Sequence, residues 1–121
     1  MAELNIVICE CRDYNDKNVF IKFVDNCLAE INKGHKVIIL SGHCSGVDAM
    51  AEDYAKANGY EIQLYPAEWA RYGKGAGPKR NLQMANDADA VIAFWDGRSR
   101  GTKNMIDTAK KINKRVYVKK I

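Results

Sequence analysis

The stretch AVIAFWDGRSRGTK, residues 90–103, decides the fold. Its first half, Ala90 to Trp95, is an apolar run of strand length. Asp96 to Gly101 is a basic, glycine-bearing turn, and a helical pattern follows from about Thr102 to Asn113, with Ile106, Ala109 and Ile112 on its inner stripe. A strand that turns directly into a helix aims unsatisfied backbone N–H groups and the positive end of a dipole at one point, which suits an anion. Arg98, Arg100 and Lys103 add side-chain cations there, and Gly97 and Gly101 let a ligand come close to the backbone. Read alone, the stretch is equally compatible with an ordinary turn carrying solvated arginines.

The same strand–turn–helix unit recurs upstream. Leu4 to Cys9 reads as a first strand, with Asn15 or Asp16 placed to cap a helix bearing Phe20, Phe23, Val24, Cys27, Leu28 and Ile31 at helical spacing. Gly34 stands where that helix should stop. Val37 to Leu40 is continuously apolar, as a strand buried on both faces is. It leads into the turn Ser41 to Asp48, a helix with Met50, Ala51, Tyr54 and Ala55 inward, and a third strand over residues 61–65. Residues 66–77 read as one long irregular loop before a helix opened by Pro78, and Arg115 to Val118 closes the chain as a fifth strand. This alternation predicts a single α/β domain over residues 1–121. We expect a Rossmann-like three-layer sandwich of about five parallel strands with helices on both faces. Ligands bind such sheets at the C-terminal ends of the strands. Glycines and polar residues gather in the turns on that edge.

Composition narrows the class. The chain has 121 residues, 47% of them hydrophobic and 28% charged, which is ordinary for a globular domain. No apolar run approaches the ~18–20 residues that span a bilayer, and the N-terminus lacks a signal-peptide pattern, so a cytoplasmic protein without membrane attachment is expected. Cys9, Cys11, Cys27 and Cys44 are then expected to be reduced, and their spacing matches no zinc motif, so neither a metal nor a cofactor is expected. The net charge of +4 suits a phosphorylated ligand; basic residues with few interleaved aromatics make a weak footprint for nucleic acid.

Several motifs together carry a resemblance. They are Cys11-Arg12-Asp13, Ser41 to Asp48, Pro66 to Trp69, Ala76 to Met84, and Asp96 to Thr102. In this order the chain resembles the YspA-like, cpYpsA-related branch of the SLOG superfamily, and is distantly similar to the Lonely Guy phosphoribohydrolases. The resemblance implies a domain that binds a nucleotide or nucleotide-derived molecule, in some relatives a signal in anti-phage defence, and assembly into homo-oligomers. An N-glycosidase acting on a nucleoside monophosphate and a single-stranded DNA-binding domain are the alternatives it brings.

The chain departs from the pattern at informative places. Glu10 replaces a glycine of the first turn, and His43, Cys44 and Ser45 replace the Gly-Ala-Arg of the second. Asn104 stands where the phosphoribohydrolases carry a catalytic glutamate, and Arg80-Asn81 where they carry Arg-Lys. An amide neither activates water nor stabilises an oxocarbenium-like sugar well, so binding without turnover is the expectation and no catalytic residue is assigned.

The expected ligand set follows from position and resemblance together. Gly101 and Thr102 would hold a phosphate, with Arg80 as its main cation and Arg12, Asp96, Gly97, Arg98, Ser99 and Arg100 around it. Asn81 would meet a ribose or base. Asp48 would hold a ribose hydroxyl or cap its helix. Gly42 and Gly46 would serve backbone geometry, with Ser45 in the same turn. Trp69 and Tyr72 would stack on a base or pack the long loop, and His43 would touch the ligand or stand apart from it.

Overall fold

A computed structural model describes residues 2–10, 14, 16–32, 34–42 and 49–121. Five strands, β1 (Glu3–Glu10), β2 (Lys36–Ser41), β3 (Glu61–Leu64), β4 (Ala90–Trp95) and β5 (Arg115–Lys120), form one sheet in the order β3-β2-β1-β4-β5. All four pairings are parallel. The order reverses between β1 and β4. From β1 the chain steps outward through β2 to β3, then returns to β4 on the other side of β1. A reversal of this kind leaves a crevice at the C-terminal ends of the two strands on either side of it, here β1 and β4.

Strand alternation explains why both faces are covered. Ile6, Ile8, Val37, Ile39, Ala90, Ile92 and Phe94 face one way and pack with Phe20, Val24, Cys27 and Leu28 of α1 (Lys17–Ile31) and Ala51, Tyr54 and Ala55 of α2 (Ala49–Ala57). Val7, Ile38, Leu40 and Val91 face the other way, onto Met84, Ala85 and Ala88 at α4 (Ala76–Asp87) and Met105 and Ala109 of α5 (Arg100–Lys111). Asp16 caps α1 as expected, accepting from the Val19 N–H at 3.2 Å. Near the ligand edge, Phe94 stacks on Phe20 at 4.9 Å and on Tyr14 at 5.4 Å, and meets Phe23 edge-on at 5.4 Å.

The stretch 66–77 corrects the loop expectation. It contains a one-turn helix, α3 (Trp69–Tyr72), and a 3-10 turn (Gly73–Gly75) that runs straight into α4, which begins two residues before Pro78. Gly73, at φ 56°, supplies the left-handed residue that ends α3. Three glycines in five residues disguised the helical character because glycine has poor helix propensity. The last helix likewise starts two residues before Thr102, at Arg100. Leu82, on the outer face of α4, is 44% exposed.

Three buried groups make stability sensitive to alkali. The Tyr65 hydroxyl donates to Asp87 Oδ2 at 2.7 Å, and Tyr54 donates to Asp25. Burial, then the Asp87 bond and charge, push the Tyr65 phenol from 10.0 to about 12. Burial and Asp25 push Tyr54 up further, and burial with the Glu30 charge pushes the Cys27 thiol from 9.0 to about 11. Each group holds its proton more tightly folded than unfolded, so its contribution is complete below the unfolded value and lost as pH rises through the folded one. We expect the melting temperature to fall progressively from about pH 9 to about pH 12, and Tyr65→Phe to flatten the upper part of that decline. A melting temperature constant over this range would refute the assignment.

Candidate functional site

The turn from β4 into α5 is held by its own side chains. Asp96 Oδ1 accepts from the N–H groups of Arg98 at 2.7 Å and Ser99 at 2.8 Å. Ser99 caps α5, its Oγ accepting from the Thr102 N–H at 3.4 Å and donating to Thr102 Oγ1 at 3.1 Å. The Ser99 carbonyl accepts from Trp95 Nε1 at 3.1 Å and from the Lys103 N–H at 3.1 Å. Thus the side chains of Asp96 and Ser99 saturate three of the N–H groups that the sequence offers to an anion, and the Ser99 carbonyl takes a fourth. The N–H groups of Arg100 and Gly101 remain without a hydrogen-bond partner among the described residues. They lie at the front of a 12-residue helix, where the dipole favours negative charge.

The side chains around this point divide sharply. Arg98 and Arg100 are exposed. Lys103 turns back along the helix to Asp107 at 2.7 Å. Thr102, only 4% exposed, lies beneath the first turn and serves the cap. Gly97 adopts φ 87°, and a Cβ there would stand 3.2 Å from Lys120 Nζ, which also lies 5.8 Å from the centre of the Trp95 ring. A Cβ at Gly101 would meet nothing within 4 Å.

Arg80 and Asn81 tie α4 to two strand ends. Arg80 Nη1 donates to the Gly42 carbonyl at 2.7 Å, and its Nε donates to Asn81 Oδ1 at 3.1 Å. A Cβ on Gly42 would fall 2.7 Å from Nη1 and 2.9 Å from Cζ, so this glycine makes room for the guanidinium. Asn81, 6% exposed, donates through Nδ2 to the Gly101 carbonyl at 3.3 Å and to Asn104 Oδ1 at 2.9 Å. The two asparagines singled out by their departure from the phosphoribohydrolase pattern therefore touch each other. Their amides join α4 to the first turn of α5. Nothing in the sequence pairs positions 81 and 104, because the pairing depends on how the two helices pack.

The buried amide pair sets up a stability test. Asn81→Leu keeps the volume but removes the acceptor of the Arg80 Nε–H and the donor to Asn104 Oδ1, along with the extra bond to the Gly101 carbonyl. The expected cost is about 2–3 kcal/mol in urea unfolding, against less than about 0.5 kcal/mol for Leu82→Asn on the exposed neighbouring position. Equal effects would mean that the pair holds nothing together.

Trp69 is 58% exposed, and the edge of its indole lies over the α4 backbone, 3.3 Å from where a Gly77 Cβ would be. Its contact is thus with α4. Tyr72 sits beside Lys79, whose Nζ is 4.2 Å from the ring centre, and Arg71, at 5.1 Å. Arg12, His43, Ser45, Gly46 and Asp48, expected at the site, lie outside the described residues, as do Cys11 and Cys44. Among the described residues there is no cluster of three or more His, Cys, Asp or Glu side chains fit to hold a metal, and no helix long and apolar enough to cross a membrane.

Comparison with known proteins places this architecture. The fold is similar to the X-ray structure of TM1055, a structural genomics target, with a TM-score of 0.62, 14% identity, and coverage of 96% of this chain and 72% of that one. In sequence, the Gene 61 protein of Mycobacterium phage D29 is 33% identical over 81 residues, 62% of this chain and 65% of the phage protein. The matched segment thus spans less than two thirds of that relative's length. The family model of the YspA, cpYpsA-related SLOG proteins matches residues 4–72, from β1 through α3. The match includes the first three strands and Gly42, whereas Arg80 and the start of α5 lie beyond it and rest on geometry. With more than half its length matched, the chain belongs to the YspA, cpYpsA-related SLOG family.

Proposed function

We propose that this protein binds a nucleotide or nucleotide-derived small molecule, with its phosphate on the first turn of α5, and does not turn it over. The observation that carries this reading is the pair of N–H groups of Arg100 and Gly101, unclaimed among the described residues, at the front of a helix that opens onto the crevice where the strand order reverses. Arg98 and Arg100 are the cations in reach of such a phosphate. Arg80, bonded to the Gly42 carbonyl, acts by holding Asn81 and with it the helix start. Family membership supports the ligand class.

The chemistry of the same turn supports binding without turnover. Asn104 presents an amide, already engaged by Asn81, in the position where a glycosidase needs a carboxylate. Asp96 is committed to the turn and Glu68 is paired with Arg71 at 3.7 Å. A phage relative gives the reading a setting: a domain that holds a signalling nucleotide intact would withdraw it from its receptor.

A thermal-shift screen with nucleoside monophosphates, dinucleotides, ADP-ribose derivatives and cyclic nucleotides tests this. A ligand present at about 100 times its Kd adds roughly 2.7 kcal/mol. Product analysis of each hit then separates binding from chemistry. Release of free base at a catalytic rate would replace this reading with a phosphoribohydrolase, and steeply salt-dependent binding of oligonucleotides with no small-molecule hit would replace it with a DNA-binding one.

A further inference from the structure

On the other flank of α4, away from the start of α5, lies a cleft of about 440 Å³. Its walls include Gln63 and Tyr65 at the end of β3, Tyr72 of α3, and Lys79, Arg80 and Gln83 of α4. Residues 79 and 83 are each two positions from Asn81, about 200° around the helix, so they face away from α5. β3 is the edge strand, so the sheet ends at this flank.

The lining has a definite chemistry. Lys79 and Arg80 supply two positive charges, while Glu68, on the rim, is paired with Arg71. Tyr72, 36% exposed, has the Lys79 ammonium over its ring, 4.2 Å from the centre, and the Arg71 guanidinium over it at 5.1 Å. A long, exposed lysine resting on a ring can give up that place to a planar ring that carries an anionic group, exchanging a cation–π contact for stacking and an ion pair. Gln63 and Gln83 each offer a donor and an acceptor, the equipment for reading the edge of a heterocycle. The volume falls in the range of about 300–1,000 Å³ typical of small-molecule sites.

We infer that this cleft is a second binding site, separate from the start of α5, and that it takes a nucleoside monophosphate. The base takes the place of the Lys79 ammonium on the Tyr72 ring, between the two glutamines, and the displaced Lys79 holds the phosphate with Arg80 behind it. Arg80 also bonds Asn81, so it belongs to both flanks and is unsuitable as a probe of either alone.

The test is a titration of ¹⁵N-labelled protein with AMP, GMP, CMP and UMP, with ribose 5-phosphate as the ringless control, following backbone amides. At least one monophosphate should move the amides of Gln63, Tyr72, Lys79 and Gln83 saturably, and ribose 5-phosphate should bind there at least tenfold more weakly. Tyr72→Ala should weaken the cleft titration about tenfold, as loss of a stacking partner does. Lys79→Gln should weaken it several-fold and reduce its salt dependence, with the melting temperature of both variants unchanged. The amides of Arg98 to Thr102 report the first site separately, so failure there leaves the cleft result intact. The inference is overturned if the four cleft amides show no saturable shift up to about 10 mM, or if both variants bind as the parent does. It is equally overturned if both sets of amides follow one curve and vanish together in Tyr72→Ala, which would make them a single site.

Discussion

Phe94→Ala is expected to cost about 3–5 kcal/mol of stability, the largest effect of any single substitution considered. Phe94 is fully buried and stacks against Phe20 and Tyr14, with Phe23 at its edge. Truncation leaves a cavity lined by three rings, and rigid rings cannot collapse into it. The effect also reaches the ligand edge. Tyr14 belongs to the connection after β1 and Phe94 directly precedes Trp95 and Asp96, so one stack joins the two segments that border the crevice. Phe94→Leu, which keeps much of the volume, should recover at least half of the lost stability in urea unfolding. If Phe94→Ala costs less than about 1 kcal/mol, the stack does not organise this end of the sheet.

Gly101→Val is expected to reduce ligand affinity more than about 100-fold while leaving the fold intact. The two halves of this expectation rest on separate observations. A Cβ at Gly101 meets nothing within 4 Å and its backbone is helical, so the protein accepts a side chain there. Replacing glycine within a helix is neutral or stabilising by a few tenths of a kcal/mol. A phosphate must come within about 2.7–3.1 Å of the Arg100 and Gly101 N–H groups, and two γ-methyl groups occupy the path of that approach. The loss is then steric and confined to the complex. Gly101→Ala should give an intermediate result. Calorimetric titration with the best ligand of the screen, alongside melting of each variant, measures both halves. Full affinity in a well-folded Gly101→Val protein would remove the start of α5 from the site.

The two experiments probe different layers. Phe94 tests whether the crevice is built as described, and Gly101 tests whether it is used.

The parallel sheet was legible because its evidence is local. Runs such as Val37 to Leu40 and Ala90 to Trp95 are apolar on both faces, and the 3.6-residue stripes of α1 and α5 alternate with them. Chain order and the right-handed crossover rule then leave few arrangements. The glycines and prolines that marked turns misled only over residues 66–77, where a short helix and a 3-10 turn are held by packing that overrides poor propensity.

The site divides along the same line. Residues 90–103 determined by themselves that a strand would run into a helix through a basic turn, because periodicity and turn chemistry act within a few residues of chain. Which groups of that turn are available to a ligand was settled in three dimensions. Asp96 folds onto the N–H groups of Arg98 and Ser99, and Thr102 sinks beneath the cap. Arg80 Nη1 bonds the carbonyl of Gly42, 38 residues away, and Asn81 meets Asn104 across two helices. Hydrogen-bond partners so distant in sequence are chosen by packing, which no local pattern encodes, and that choice decides which cations and N–H groups remain for a ligand.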